Sequence, residues 1–261
     1  MSLSYNHHSD YMKFYIQRDT EERKQFDVFL SNVTNNEFIV KMRIDDKKEN
    51  RLSQDFHVSY ILQKHDMRGF IRCIALYDKE TKQFHMEMPV YIPCSDNHIV
   101  VMPYILDGSI SDYDWTRESM HMLKSMIIHT ILSLAVAFHK LGFVHDNLHW
   151  RNVLVEPTTS DEIVYTFGET TVSAKTNGIV PLITDFENAY WCKGNVGMFW
   201  FSVNRFVVRQ RLRNIPGLWI YWNNSEIHQF IIEMCEAKSS IDNIETLIVM
   251  IEKSTFDIYD I

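Results

Sequence analysis

Between Ser119 and His139 the chain carries one apolar stripe, Leu123, Ile127, Ile131, Leu134 and Phe138, at the spacing of a helix that buries one face. Ala135 and Ala137 permit close packing along it, and Gly142 suits a C-terminal cap. This helix delivers the chain into Phe143-Val144-His145-Asp146-Asn147-Leu148-His149-Trp150-Arg151-Asn152-Val153-Leu154-Val155, a polar loop held between two apolar runs. Farther on, Pro181-Leu182-Ile183-Thr184-Asp185-Phe186 is an apolar strand that ends on Asp-Phe. A core helix, a polar loop and a carboxylate at a strand end follow one another in that order, and the rest of the chain is placed around them.

A length of 261 residues allows one large domain or two small lobes. With 46% hydrophobic and 23% charged residues, the composition is that of a globular chain folded throughout. A formal net charge of -8 argues against sequence-independent nucleic-acid binding, because neutralising phosphates takes concentrated Lys and Arg. Cys73, Cys94, Cys192 and Cys235 lie far apart and none forms a C-x-x-C. Neither a zinc knuckle nor a dense disulfide framework is indicated, and a reducing compartment is the simplest reading. Met1 to Arg18 is polar and tyrosine-rich, and no uninterrupted apolar run reaches the ~18 residues of a membrane span. The expectation is a soluble intracellular protein, cytoplasmic or nuclear, with no membrane association.

Before the long helix, Met12–Ile16, Phe26–Leu30 and Glu37–Ile44 are strand-like runs rich in aromatic and branched residues, with a turn at Asn32–Asn36. A charged linker, Asp45–Arg51, leads to a helix over Ser53–His65, and Phe70–Tyr77, Gln83–Tyr91 and Asn97–Tyr104 read as further strands. Between Asn152 and Asp185 the runs Ile163–Phe167 and Thr170–Ser173, with a turn at Asn177-Gly178, predict an inserted β-hairpin packed beside the Asp185 turn. Helices are expected over Val203–Leu212, carrying Arg205, Arg209, Arg211 and Arg213, over Ser225–Ala237, and over Asp242–Glu252 with an Asp242/Glu245 capping pair.

His145 followed seven residues later by Asn152, and an apolar strand ending in Asp185-Phe186, resemble the catalytic loop and metal-binding turn of the protein kinase superfamily. The Leu148-His149-Trp150 order and the long insertion resemble its haspin-like branch and the kinases of large DNA viruses. The resemblance implies an α+β, bilobal protein-kinase-like fold: a β-rich N-lobe and hinge over 1–104, and a mainly helical, reduced C-lobe with the inserted hairpin over 105–261. It makes Asn152 and Asp185 the residues for Mg2+ or Mn2+, and His145 a buried structural imidazole. Phe38-Ile39-Val40-Lys41 resembles the V-A-I-K strand, which makes Lys41 the residue that grips the ATP phosphates, although an outward-facing solvated lysine reads the same pattern. Met102, Tyr104 and Ile105 would line the adenine as the hinge.

The departures from the family pattern carry as much as the matches. The family reads H-R-D and D-F-G; here His145-Asp146-Asn147 and Asp185-Phe186-Glu187 stand in those places. Asn147 sits where the catalytic aspartate is expected, and an amide cannot accept a proton at neutral pH. The chain has no glycine before Gly69, so the turn Gln17–Lys24 lacks the residues a phosphate-covering loop needs. The glutamate slot of the first helix falls on His57, with Asp55 two residues earlier. Two readings follow from the resemblance. One is a degenerate kinase that binds ATP and metal weakly and acts through a protein partner. The other is an active serine/threonine kinase phosphorylating a protein substrate with Asp146 as base. An interaction module without a nucleotide is the third class.

Overall fold

The computed structural model describes residues 38–41, 52–78, 80–87, 98–208, 218–222, 224–237 and 240–260. The strands expected at Met12–Ile16 and Phe26–Leu30, the turns at Gln17–Lys24 and Asn32–Asn36 and the linker Asp45–Arg51 lie outside those residues. So do Cys94, Arg209, Arg211 and Arg213. The chain divides into two compact units, one of Met1–Ile61 with Ile71–Tyr104 and one of Leu62–Phe70 with Ile105–Ile261.

In the first unit β1 (Phe38–Lys41), β2 (Ala75–Asp78), β3 (Gln83–His85) and β4 (His98–Pro103) form one sheet in the order β1-β4-β2-β3, each pair antiparallel. Helix α1 spans Leu52–Lys64, its residues up to Ile61 belonging to the first unit and those from Leu62 to the second. β4 is one of the two inner strands, and Ile99, Val100, Val101 and Met102 on it are buried, as a near-continuous apolar run requires. The expected strand Phe70–Tyr77 is shorter than its apolar pattern: only Ala75–Asp78 joins the sheet, while Phe70 makes a lone parallel bridge to Ile183 in the second unit's own core. The helix phase also differs. Asp55 is 1% exposed, on the face that carries Leu52, Ser59 and Leu62, whereas His57 is half-buried. A polar residue within an apolar stripe shifts the apparent phase, which is why spacing alone points to His57.

The second unit is organised on α2 (Met120–Leu141), whose residues from Leu123 to Phe138 are buried apart from Lys124 and Val136. By length and composition this helix could cross a membrane, yet 78% of its apolar window is buried against the protein, so it is a core helix. Gly142 ends it at φ 74, donating its N–H to the Phe138 carbonyl at 2.7 Å. A side chain is disfavoured there twice over, by the left-handed backbone and because a Cβ would lie 2.8 Å from the Lys193 backbone nitrogen.

After α2 come β5 (Phe143–Val144), β6 (Val153–Pro157), β7 (Glu162–Phe167), β8 (Thr170–Lys175), β9 (Ile179–Ile183) and β10 (Tyr190–Trp191). β6 pairs with β9, β5 with β10, and β7 with β8 through the two-residue turn Gly168-Glu169. The inserted hairpin is thus present, but it packs on α2 and not beside the Asp185 turn. Its buried residues are Tyr165 and Phe167, the apolar positions of one strand face. His129 of α2, fully buried, fixes the docking: Nε2 donates to the Lys175 carbonyl at 3.0 Å, so Nδ1 is the acceptor for the Tyr165 hydroxyl at 2.8 Å. Ser125 donates to the same Lys175 carbonyl. Burial pushes the Tyr165 hydroxyl up to about 12, so it keeps the proton it donates.

The unit closes with α3 (Val196–Val208), β11 (Leu218–Tyr221), α4 (Ser225–Ala237), α5 (Ile244–Lys253) and β12 (Asp257–Asp260), with β11 and β12 paired. α3 starts seven residues before the expected Val203. Its buried stripe of Phe199, Trp200, Val203, Phe206 and Val207 continues the helical period back into the aromatic segment. The Asp242/Glu245 capping pair is not formed. Ser240 instead accepts from the Asp242 N–H one short 3-10 turn earlier, and α5 begins after that turn without a side-chain cap.

Candidate functional site

Two strand ends bring the polar residues of the second unit together. The register of β6 against β9 sets Val153 opposite Ile183, so the residue before β6 and the residues after β9 meet at one end of the ladder. The Thr184 N–H donates to the Asn152 carbonyl at 2.9 Å and continues that ladder by one step. Asn152 and Asp185 are thereby neighbours because of strand pairing, and the expected pair of metal residues shares one small volume.

Side-chain geometry fixes how they face. Asn152, 3% exposed, donates from Nδ2 to Asp185 Oδ2 at 3.0 Å and to the Asn147 carbonyl at 3.0 Å. Both partners are acceptors, so the nitrogen end of the amide is assigned by chemistry and Oδ1 is left for another ligand. Asn147 Nδ2 also points at Asp185 Oδ2, at the longer distance of 3.4 Å. Asn147, Asn152 and Asp185 thus form one hydrogen-bonded cluster.

Asp146 does not join it. Its backbone is left-handed at φ 54, and its Oδ1 lies 3.1 Å from Arg205 Nη1 of α3, while the same guanidinium donates to the Asp146 carbonyl. Successive side chains in the loop thus diverge, Asp146 toward α3 and Asn147 toward Asp185. Asp185 is itself left-handed at φ 68, a conformation non-glycine residues adopt uncommonly and keep where surrounding contacts hold it. Glu187 lies within a right-handed 3-10 turn, Phe186–Asn188, and is absent from the positive-φ residues. This backbone path needs no glycine at that position, so its replacement is no strain here.

Behind the cluster the two motifs share a buried aromatic contact. His145 is fully buried and donates from Nε2 to the Thr184 carbonyl at 2.8 Å. Its ring lies 5.7 Å from Phe186 and 6.3 Å from Phe143, and Phe70 packs 5.4 Å from Phe143. Burial drives the imidazole well below its ordinary pKa, outweighing the pull of the Thr184 carbonyl and Asp185, so it stays neutral. The expectation of a structural histidine agrees with this environment.

Among the remaining expected residues, Lys41 lies on β1 of the first unit, its backbone opposite Val100. Met102, on β4 opposite Ile39, is 1% exposed. Tyr104 and Ile105 follow the strand and are half-buried. Two partners of the loop on α3, the Arg205 guanidinium and the Phe206 carbonyl that accepts from the Trp150 indole at 3.0 Å, are not marked by sequence. Arg205 read as one of a run of basic residues on a helix, and nothing in a helical pattern signals a partner 59 positions away.

Asn152 Oδ1 and the Asp185 carboxylate are hard oxygen ligands of the kind Mg2+ and Mn2+ take, so the residues present fit such an ion in type. An amide at Asn147 in place of a carboxylate leaves one negative charge fewer beside it.

No family profile matches the chain. It is similar to the uncharacterized protein ZK177.2 of Caenorhabditis elegans, 30% identical over 97 residues, which are 37% of this chain and 31% of that protein. It is also similar to the serine/threonine-protein kinase haspin of Mus musculus, 38% identical over 92 residues, covering 35% of this chain and 12% of haspin. The chain thus matches less than a third of the length of either relative. A solved structure titled as the Rad53 kinase domain and SCD2 overlaps 81% of this chain and 74% of its own at 16% identity, with a TM-score of 0.40, too low to establish a shared topology. The haspin match supports a protein-kinase-like reading of this mixed helix-and-strand chain at a coarse level.

Proposed function

We propose that this chain is a degenerate protein-kinase-like domain that binds ATP weakly with Mg2+ or Mn2+ and acts by engaging a protein partner. The observation that carries the reading is the divergence at the loop: an amide, Asn147, faces Asp185 and Asn152, while the adjacent carboxylate is bound to Arg205. Phosphoryl transfer to a hydroxyl calls for a group that orients the nucleophile and takes its proton. Asn147 can orient a hydroxyl by hydrogen bonding and cannot take the proton. Asn152 and Asp185 would hold the ion, which when bound would neutralise phosphate charge. Lys41 would grip the phosphates, with Met102, Tyr104 and Ile105 at the adenine. An active kinase using Asp146 as base would require that carboxylate to leave Arg205 and the loop to reverse its turn.

Thermal unfolding tests the reading. A ligand that binds only the folded state stabilises it. ATP with Mg2+ or Mn2+ should raise the melting temperature, ATP in EDTA should do so less, and Asp185→Ala should remove the metal-dependent part. No shift at millimolar ATP and metal in folded protein would remove the nucleotide site and leave the interaction module.

A further inference from the structure

We propose that Arg205 is a positioning residue: its two contacts to Asp146 hold the loop turned so that Asn147, and not Asp146, faces Asp185 and Asn152. This deepens the function proposed above and rests on it for the meaning of the cluster, but its geometry stands independently. Arg205 bonds both the main-chain carbonyl and the Oδ1 of Asp146, which pins backbone and side chain together. A residue at φ 54 has a side-chain direction that a relaxed, right-handed loop would not give it. The next residue on the same helix supplies a second hold. The Phe206 carbonyl, on the same helix, accepts from the Trp150 indole at 3.0 Å. One helix end thus grips the loop at Asp146 and at Trp150, and Asn147 lies between the two grips. The Arg205 guanidinium also lies over the Phe201 ring one helical turn back, 5.3 Å from its centroid.

The pair is not chiefly a source of stability. The Arg205 and Asp146 side chains are 32% and 39% exposed, and ion pairs so open to water contribute little. What Arg205 offers is direction, because one nitrogen of a rigid, planar guanidinium, Nη1, serves the carbonyl and the carboxylate together, whereas a lysine ammonium sits on a freely turning stem. The Asp146 carboxylate is only one of the two points held. Losing it should therefore matter less than losing Arg205.

The test is the side-chain NH2 resonances of Asn147 and Asn152 in isotopically labelled full chain, recorded without metal or nucleotide, followed by Mn2+ titration. Arg205→Ala should displace both resonances from their wild-type positions, Arg205→Lys should displace them less, and Asp146→Ala least. Mn2+ affinity should fall by about tenfold in Arg205→Ala, the size expected when a residue supporting metal ligands is lost. Unmoved Asn147 and Asn152 resonances in folded Arg205→Ala would overturn the proposal and reduce Arg205 to a surface contact. If Arg205→Ala does not fold, Arg205→Lys decides in the same way, with unmoved resonances overturning and displaced ones supporting. The two readings fail separately: no Mn2+ response in wild type would refute the metal site, while displaced amide resonances would still support Arg205 as the residue that sets the loop.

Discussion

Replacing Asn147 by aspartate restores the carboxylate that the family pattern has at this position, and the structure sets the cost. The new oxygen would stand where the amide nitrogen now stands, 3.4 Å from Asp185 Oδ2. Two unit charges at that distance repel by about 1 kcal/mol in water and about 5 kcal/mol at an effective dielectric of ~20. Asn147 and Asp185 are both half-buried, and the new side chain can rotate away, so the lower part of that range applies, about 1–3 kcal/mol. For a chain of this size each kcal/mol moves the melting temperature by roughly 2–4 °C. Asn147→Asp in EDTA should therefore melt several degrees below wild type. A divalent cation turns the repulsion into attraction to a shared ion, so Mg2+ or Mn2+ should recover more for Asn147→Asp than for wild type. Differential scanning fluorimetry with and without metal measures both effects, with Asp146→Asn as a control that leaves the surroundings of Asp185 unchanged. Equal melting temperatures in EDTA, together with equal responses to Mg2+, would refute the placement of Asn147 against Asp185.

Other perturbations test the frame that holds the site. His129→Leu removes the acceptor of the Tyr165 hydroxyl but leaves the Lys175 carbonyl bonded to Ser125, so a loss of about 1–3 kcal/mol is expected from denaturant unfolding, with faster proteolysis within 158–175. His129 and His145 both have pKa values lowered by burial, so the unfolded chain takes protons before the folded one does. Their contribution should be fully present above about pH 6.5 and decline as pH falls below it, and His129→Gln should flatten that slope in a melting-temperature profile. Gly142→Ala forces a side chain onto a left-handed backbone against Lys193, and should cost at least about 1–2 kcal/mol by chemical denaturation.

Several parts of this arrangement were legible in the residues. The stripe from Leu123 to Phe138 and the glycine after it gave α2 and its end, since periodicity and left-handed backbone are local properties. The alternation at Ile163–Phe167 likewise revealed a hairpin. What covers the hairpin was not legible, because the deciding groups are His129 and Ser125 on another element and a histidine on an apolar helix announces no partner. The phase of α1 was misjudged for a similar reason, Asp55 being buried where spacing favoured His57. Strand pairing explains why Asn152 and Asp185 were found together, since each lies at the end of an apolar run that pairs with the other. The direction of Asp146 against Asn147 depends on Arg205, on a helix far along the chain, and an extended-loop rule alone does not say which of two neighbours faces inward. At Glu187 the family pattern suggested a loss that the right-handed turn does not impose.

The central claim is that Asn147 occupies the place of the proton acceptor and that Asp146 does not replace it. Transfer of the γ-phosphate from labelled ATP to general protein acceptors and to the chain itself, with Mg2+ or Mn2+, should be measured side by side in wild type, Asn147→Asp and Asp146→Ala. Wild-type transfer should lie near background, Asn147→Asp should raise the rate, and Asp146→Ala should not differ from wild type. Robust wild-type transfer that disappears in Asp146→Ala would contradict that claim.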